Sequence, residues 1–215
     1  MKDKIKVILV DDHAVVRAGF RMLLSTEDDI EVIAEAERGE AACQLYLEQQ
    51  PDVMVLDLSM PGIGGLESIR RICNRHSNAK ILVFSVHDEM VYVDRAMNAG
   101  AKGYITKNSA PGILVEAIQK IAAGEIYIEQ GLMKNAPLHN SDADDYQTIV
   151  DSLSAREFDV FLLLAKGLTA HKIADELCLG YKTVANYGTQ IRSKLNVSTA
   201  AELAHIAMIL GVMKN

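Results

Sequence analysis

The chain has two hydrophobic rhythms. Through about residue 123, short apolar runs alternate with amphipathic stretches; from residue 153 onward only helical periods remain. The runs at 5–10, 53–56 and 80–85 are rich in Ile, Val and Leu, 103–106 is a short strand-like run, and 30–35 alternates weakly. Continuous runs of this kind suit strands buried on both faces of a parallel sheet. Between them, 14–25, 39–49, 66–75 and 89–98 carry helical periodicity. A fifth helix runs to about residue 123, with Ser109 as its cap and Pro111 in its first turn, where proline is tolerated. Pro61-Gly62 and Gly64-Gly65 mark a loop. Strands alternating with helices in this way predict an α/β, doubly wound, five-stranded parallel sheet covered on both faces.

Residues 131–146 mix Gly, Asn, Pro, Ser and Asp without periodicity and read as linker. After them, Gly167, Gly180 and Asn196 divide the remainder into four short helices, an all-α domain. The expected organisation is residues 1–123, a linker at 124–150, and a second domain at 151–215.

Charge sharpens this division. The net charge of −7 over 215 residues is not evenly spread. Residues 1–128 carry 14 Lys and Arg against 19 Asp and Glu, and residues 129–150 carry one against four. Residues 151–215 carry seven against six, so the last domain is only weakly basic. No apolar run approaches the length of a spanning helix, and MKDKIKVILVDD reads as a buried strand rather than a signal peptide. A cytoplasmic protein with no membrane partner is expected. Cys43, Cys73 and Cys178 lack metal-ligand spacing and read as small apolar residues in a reducing compartment.

In doubly wound sheets, ligands bind beyond the carboxyl ends of the strands. The first strand is followed there by Asp11 and Asp12, and the third by Asp57. The fourth ends in Ser85, and Lys107 follows the fifth. Three carboxylates on one sheet edge repel one another unless a cation joins them. Mg²⁺ suits oxygen ligands and phosphate. A carboxylate also serves as nucleophile toward phosphorus, with lysine and hydroxyl steadying the transferring group. His13 and His87 have no second histidine at ligand spacing and are assigned to helix starts or surface.

The segments VDDH (10–13), VLDLSMPGIGGLE (55–67), SVH (85–87) and AGAKGYITK (99–107) closely resemble the receiver domain of bacterial response regulators, a flavodoxin-like fold. The resemblance implies that Asp57 is the phosphoacceptor. It implies that Asp11, Asp12, Asp57 and the backbone carbonyl of Ser59 hold Mg²⁺. It also implies that Ser85 and Lys107 bind the phosphoryl oxygens, that Tyr104 is the aromatic switch position, and that a sensor histidine kinase is the donor.

In the last domain, Ser154 and Glu157 have the spacing of a capping box before a helix. In the third helix, Val184, Gly188, Ile191 and Leu195 form a packed face. The opposite face presents Lys182, Asn186, Thr189 and Ser193, with Ala185 and Gln190 on its shoulders; Thr183 and Tyr187 of the same helix are also expected at DNA. This polar face suits base edges in a major groove, while Arg192 and Lys194 at its flanks suit phosphates. The stretches LSAREFDV, IADEL, KTV and KLNV resemble the LuxR-type helix-turn-helix domain of the NarL/FixJ group. Ala185, Tyr187 and Ala200 depart from the basic or histidine residues common there. With fewer cations, each domain should bind DNA weakly and depend on a homodimer formed on phosphorylation. Met208, Ile209 and Val212, beside His205, form the expected apolar stripe for that interface, with packing on the receiver as the alternative.

The expected function is a regulator, not an enzyme, phosphorylated on Asp57 and acting on double-stranded promoter DNA. Phosphorylation engages Ser85 and Lys107 and shifts a two-state element that includes Tyr104. One alternative is a phosphorylation-independent regulator. Another is a Mg²⁺-dependent aspartyl phosphatase, although that type places its nucleophile after the first strand.

Overall fold

The computed structural model describes residues 4–132, 146, 149–150, 152–177 and 179–213. The expected linker from 133 to 145, and Cys178, lie outside the described residues. The chain divides into two compact units, one built on a sheet and one from C-terminal helices.

The sheet unit runs β1 (Ile5–Val10), α1 (Ala14–Leu24), β2 (Ile30–Ala36), α2 (Gly39–Gln49), β3 (Val53–Leu56), α3 (Gly65–Arg75) and β4 (Ile81–Ser85). It continues with α4 (Met90–Asn98), β5 (Gly103–Thr106), α5 (Pro111–Ala122) and β6 (Tyr127–Ile128). The strand order is β2-β1-β3-β4-β5-β6, and every pairing is parallel. The order reverses at β1 and β3, the switch point at which such sheets bind ligands.

All four residues of β3 and all five of β4 are buried, as a strand covered on both faces requires. On one face Val7, Leu9, Val55, Leu82, Phe84 and Ile105 pack with Leu114, Ala117, Ile118 and Ile121 of α5. Phe20 of α1 meets Phe84 edge to face at 4.6 Å between ring centroids.

Two expectations need correction. The sheet has six strands rather than five, because Tyr127–Ile128 pairs with β5 where linker was expected. Two residues after Gly124 are too few to show a period. Ser109 does not cap α5: Pro111 opens the helix, the cap position falls on Ala110, and no side-chain cap bond forms there.

The helical unit contains α6 (Ala155–Ala165), α7 (Ala170–Glu176), α8 (Tyr181–Leu195) and α9 (Ala200–Ile209). The Ser154–Glu157 capping box opens α6, and a second box, Thr199–Glu202, opens α9. Asn196 ends α8 in the left-handed conformation at φ 52°, where asparagine is tolerated better than most residues. Phe158, Phe161, Ile173, Val184, Ile191, Leu203 and Ile206 are all buried. No helix among the described residues is long and apolar enough to cross a membrane.

Candidate functional site

Strand register assembles the site. Val10 of β1 stands opposite Leu56 of β3, so Asp11 and Asp57 emerge side by side. The Asp57 amide donates to the Val10 carbonyl at 2.9 Å. Ser85 stands opposite Thr106, and the Lys107 amide donates to the Ser85 carbonyl at 2.7 Å. The register that buries the apolar runs therefore also gathers the acids, the hydroxyl and the lysine. Gly65 keeps the start of α3 close beneath: a Cβ there would collide with the Asp57 carbonyl.

The Lys107 Nζ donates to Asp11 Oδ2 at 2.6 Å and to Asp57 Oδ2 at 2.7 Å. Burial pushes the Asp57 carboxyl above the ordinary carboxylate range despite the ammonium beside it. Burial works against the charge on Lys107, but its hydrogen bonds to Asp11 and Asp57 outweigh that and raise its pKa. Asp57 is 1% exposed, and its Oδ1 accepts from the Ser59 amide at 3.2 Å.

Asp11, Asp12, His13 and Asp57 each place one ligand atom within 4.8 Å of the others. With three carboxylates among them, the donor set fits a hard divalent cation. His13 is a residue that sequence reasoning set aside. Its Nδ1 lies 3.0 Å from Asp11 Oδ1 and 2.9 Å from Asp12 Oδ1, and it is the cap residue of α1. Its adjacency to the acid pair was the available signal. Arg17, one helical turn further on, was also missed. Its Nη1 donates to the Asp11 carbonyl at 2.5 Å, and its Nε pairs with Glu35 at 3.3 Å.

Ser85 is buried, and its Oγ accepts from the His87 amide at 3.3 Å. Tyr104 is wholly buried with its hydroxyl donating to the His87 carbonyl at 2.9 Å. The His87 imidazole stacks on Tyr92 at 3.8 Å and sits 3.2 Å from Ser59 Oγ. His87 therefore joins the residues at positions 59, 85 and 104 rather than lying on plain surface. Only the fold brings these four together.

On α8, Val184, Gly188, Ile191 and Leu195 are buried, and Lys182, Thr183, Asn186, Thr189 and Gln190 are exposed. Tyr187 and Arg192 are half-buried, and the Arg192 guanidinium donates to the Gly188 carbonyl at 3.1 Å. Lys194, expected at phosphates, is exposed and donates to the buried Glu157 at 2.8 Å. Tyr181, which opens α8, stacks on His171 of α7 at 4.2 Å, an anchor not foreseen. On α9, Leu203, Ile206 and Ala207 are buried as expected. The exposed stripe is shorter than expected. Met208 is 41% exposed, Ile209 is half-buried, and Val212 is only 5% exposed.

Residues 7–119 match the response regulator receiver domain family, and residues 151–207 match the bacterial regulatory proteins of the luxR family. The chain belongs to the response regulators, in the NarL/FixJ group. The regulator is 38% identical over 209 residues to the transcriptional activator protein ExaE of Pseudomonas putida, covering 97% of this chain and 98% of that one. It is also 38% identical over 208 residues to the response regulator UvrY of Escherichia coli K12, covering 97% and 95%. A LuxR-family two-component response regulator from Aurantimonas matches with a TM-score of 0.60 and 39% identity, over 62% of this chain and 95% of that one. The response regulator ChrA of a heme-sensing two-component system matches with a TM-score of 0.54 and 29% identity, over 98% and 99%. The regulator thus pairs a receiver with a LuxR-type DNA-binding domain.

Proposed function

We propose that Asp57 accepts a phosphoryl group from a sensor histidine kinase in the cytoplasm, and that this controls promoter binding through α8. The observation that carries this reading is Lys107 bridging Asp11 and Asp57 in a buried edge of the sheet. An Asp57 carboxylate oxygen forms the new bond to phosphorus as the bond to the donor's histidine nitrogen breaks. The electron pair leaves with that nitrogen. Asp11, Asp12, Asp57 and the Ser59 carbonyl are the residues that would hold Mg²⁺. When bound, the ion supplies positive charge to the phosphoryl oxygens. Lys107 and the Ser85 hydroxyl hold those oxygens from the other side. Engagement of Ser85 draws its hydroxyl away from the His87 amide, and so bears on the carbonyl that holds Tyr104. The kinase donates the group and the receiver accepts it, so the chain is not an independent enzyme.

The test is incubation with a small acyl phosphate and Mg²⁺, followed by intact-mass and peptide analysis. One phosphoryl group on the peptide containing Asp57 is the expected result. A phosphoryl group located elsewhere would contradict the assignment. Removal of divalent cations with EDTA should slow uptake by at least roughly a hundredfold, the scale of losing a main electrostatic stabiliser. Undiminished uptake in EDTA would remove Mg²⁺ from the account.

We further propose that residues 151–215 form the DNA-binding domain and that Lys182, Thr183, Asn186, Tyr187, Thr189, Gln190, Arg192 and Lys194 face DNA. Support comes from the exposed polar face of α8. Asn186→Ala should weaken binding at a preferred site by roughly tenfold to a hundredfold, the value of one base contact. Lys182→Ala should weaken binding to all sequences and lower the salt slope by about one. Filter-binding or anisotropy titrations on matched and scrambled duplexes separate these outcomes. The net charge of +1 on this domain supports action as a phosphorylation-dependent homodimer.

A further inference from the structure

We propose that Glu129 is a positioning residue that ties the chain leaving the sheet to the turn carrying Lys107, so that phosphorylation of Asp57 loosens residues 127–132. The inference rests on phosphorylation at Asp57. Glu129 directly follows β6. Its amide donates to the Tyr104 carbonyl at 3.0 Å and extends the β5 pairing by one residue. Its Oε2 accepts from the Thr106 amide at 2.9 Å and from the Ser109 hydroxyl at 2.7 Å. The Thr106 and Ser109 hydroxyls lie 3.1 Å apart, so one carboxylate gathers the turn from 106 to 109. Lys107 lies inside that turn. The turn is held on one side by Asp11 and Asp57 and on the other by Glu129.

β6 has only two residues, and Ile126 before it is mostly exposed. A strand so short, at the edge of the sheet, makes few ladder bonds, although Tyr127 packs on the core and Leu132 is buried. Between those two apolar anchors, the charge-assisted bonds of Glu129 tie the segment to the turn at 106–109. A phosphoryl group on Asp57 presents new anionic oxygens to Lys107, and its ammonium must leave the two carboxylates to meet them. Moving Lys107 moves the Thr106 and Ser109 donors that Glu129 grips. The segment released is the first part of the chain leading toward the DNA-binding domain. Phosphorylation is thereby transmitted along the backbone as well as through Tyr104.

Amide hydrogen exchange of the full chain tests this, with Mg²⁺ and with or without a small acyl phosphate, read on a peptide spanning 125–132. In the wild type, exchange in that peptide should be roughly tenfold faster after phosphorylation, as for loss of one charged hydrogen bond. Glu129→Ala should exchange fast in both states, with β1 and β3 still protected. Glu129→Gln keeps an acceptor oxygen and should restore much of the slow exchange. Ser109→Ala, which removes one donor, should fall between. Intact mass on the same samples reports the phosphoryl group. Phosphorylation without a change in exchange overturns this proposal alone. No phosphorylation overturns it together with the reading of Asp57. A Glu129→Ala protein that matches the wild type in both states also overturns it.

Discussion

Asp57→Asn abolishes phosphoryl uptake from an acyl phosphate. The carboxamide keeps the shape of the side chain and an acceptor for the Ser59 amide, so the sheet edge stays in place. It lacks the anionic oxygen that attacks phosphorus. The expected loss is to below detection by intact mass, while the far-ultraviolet circular dichroism of the variant matches the wild type. Asp12 shares the cluster but should not substitute. Lys107 stands 2.7 Å from Asp57 in a buried edge, whereas Asp12 is exposed and paired with His13. A variant that gains a phosphoryl group on Asp11 or Asp12 at a comparable rate would show that the cluster, not the position after β3, decides the acceptor.

Glu157→Ala destabilises the helical unit by about 2–3 kcal/mol, from a lost capping box and a broken charged hydrogen bond. Glu157 is only 5% exposed. One oxygen accepts from the Ser154 amide at 2.7 Å and from Lys194 at 2.8 Å. Truncation leaves the Ser154 amide without that acceptor and frees the Lys194 ammonium. For a helical unit of this size the melting temperature should drop by roughly 10–20 °C. Glu157→Gln, which keeps the shape without the charge, should lie between. Burial works to raise the Glu157 carboxyl, but Lys194 and Ser154 more than offset it and hold its pKa below that of an ordinary glutamate. A depressed carboxylate stabilises fully above its unfolded pKa and loses that contribution as pH falls through the folded one. The wild-type unit should therefore lose stability below about pH 4.5, and Glu157→Ala should show a shallower acid loss there. Thermal melts between pH 3 and pH 7 check both statements. Equal acid slopes would show that the Glu157 carboxyl titrates alike in the folded and unfolded unit.

The legible part of this protein is the part set by strand register. Because β1, β3, β4 and β5 are mostly buried, and β3 apolar throughout, their ends could be read directly, and Asp11, Asp57, Ser85 and Lys107 lie at or just after those ends. The packed face of α8 was legible for the same reason, through its helical period. Side chains that act across elements were not. His87 meets Ser59, and Lys194 meets Glu157, at sequence separations of 28 and 37 that no local pattern spans. Lys194 sits where a phosphate contact was expected, and its partner could not be seen from α8 alone. The edge strand β6 escaped because its register, not its length, makes it a strand. Val212 was expected on an exposed stripe by continuing the period of α9 beyond residue 209, where the helix has ended.

The central claim is that the state of Asp57 sets DNA binding. The most direct measurement is DNA affinity of the full chain with Mg²⁺, with and without an acyl phosphate, on duplexes selected from random sequence. The account predicts tighter and more cooperative binding when Asp57 is phosphorylated, and no response in Asp57→Asn. Equal affinity in both states of the wild type, with phosphorylation of Asp57 verified by mass, would contradict it.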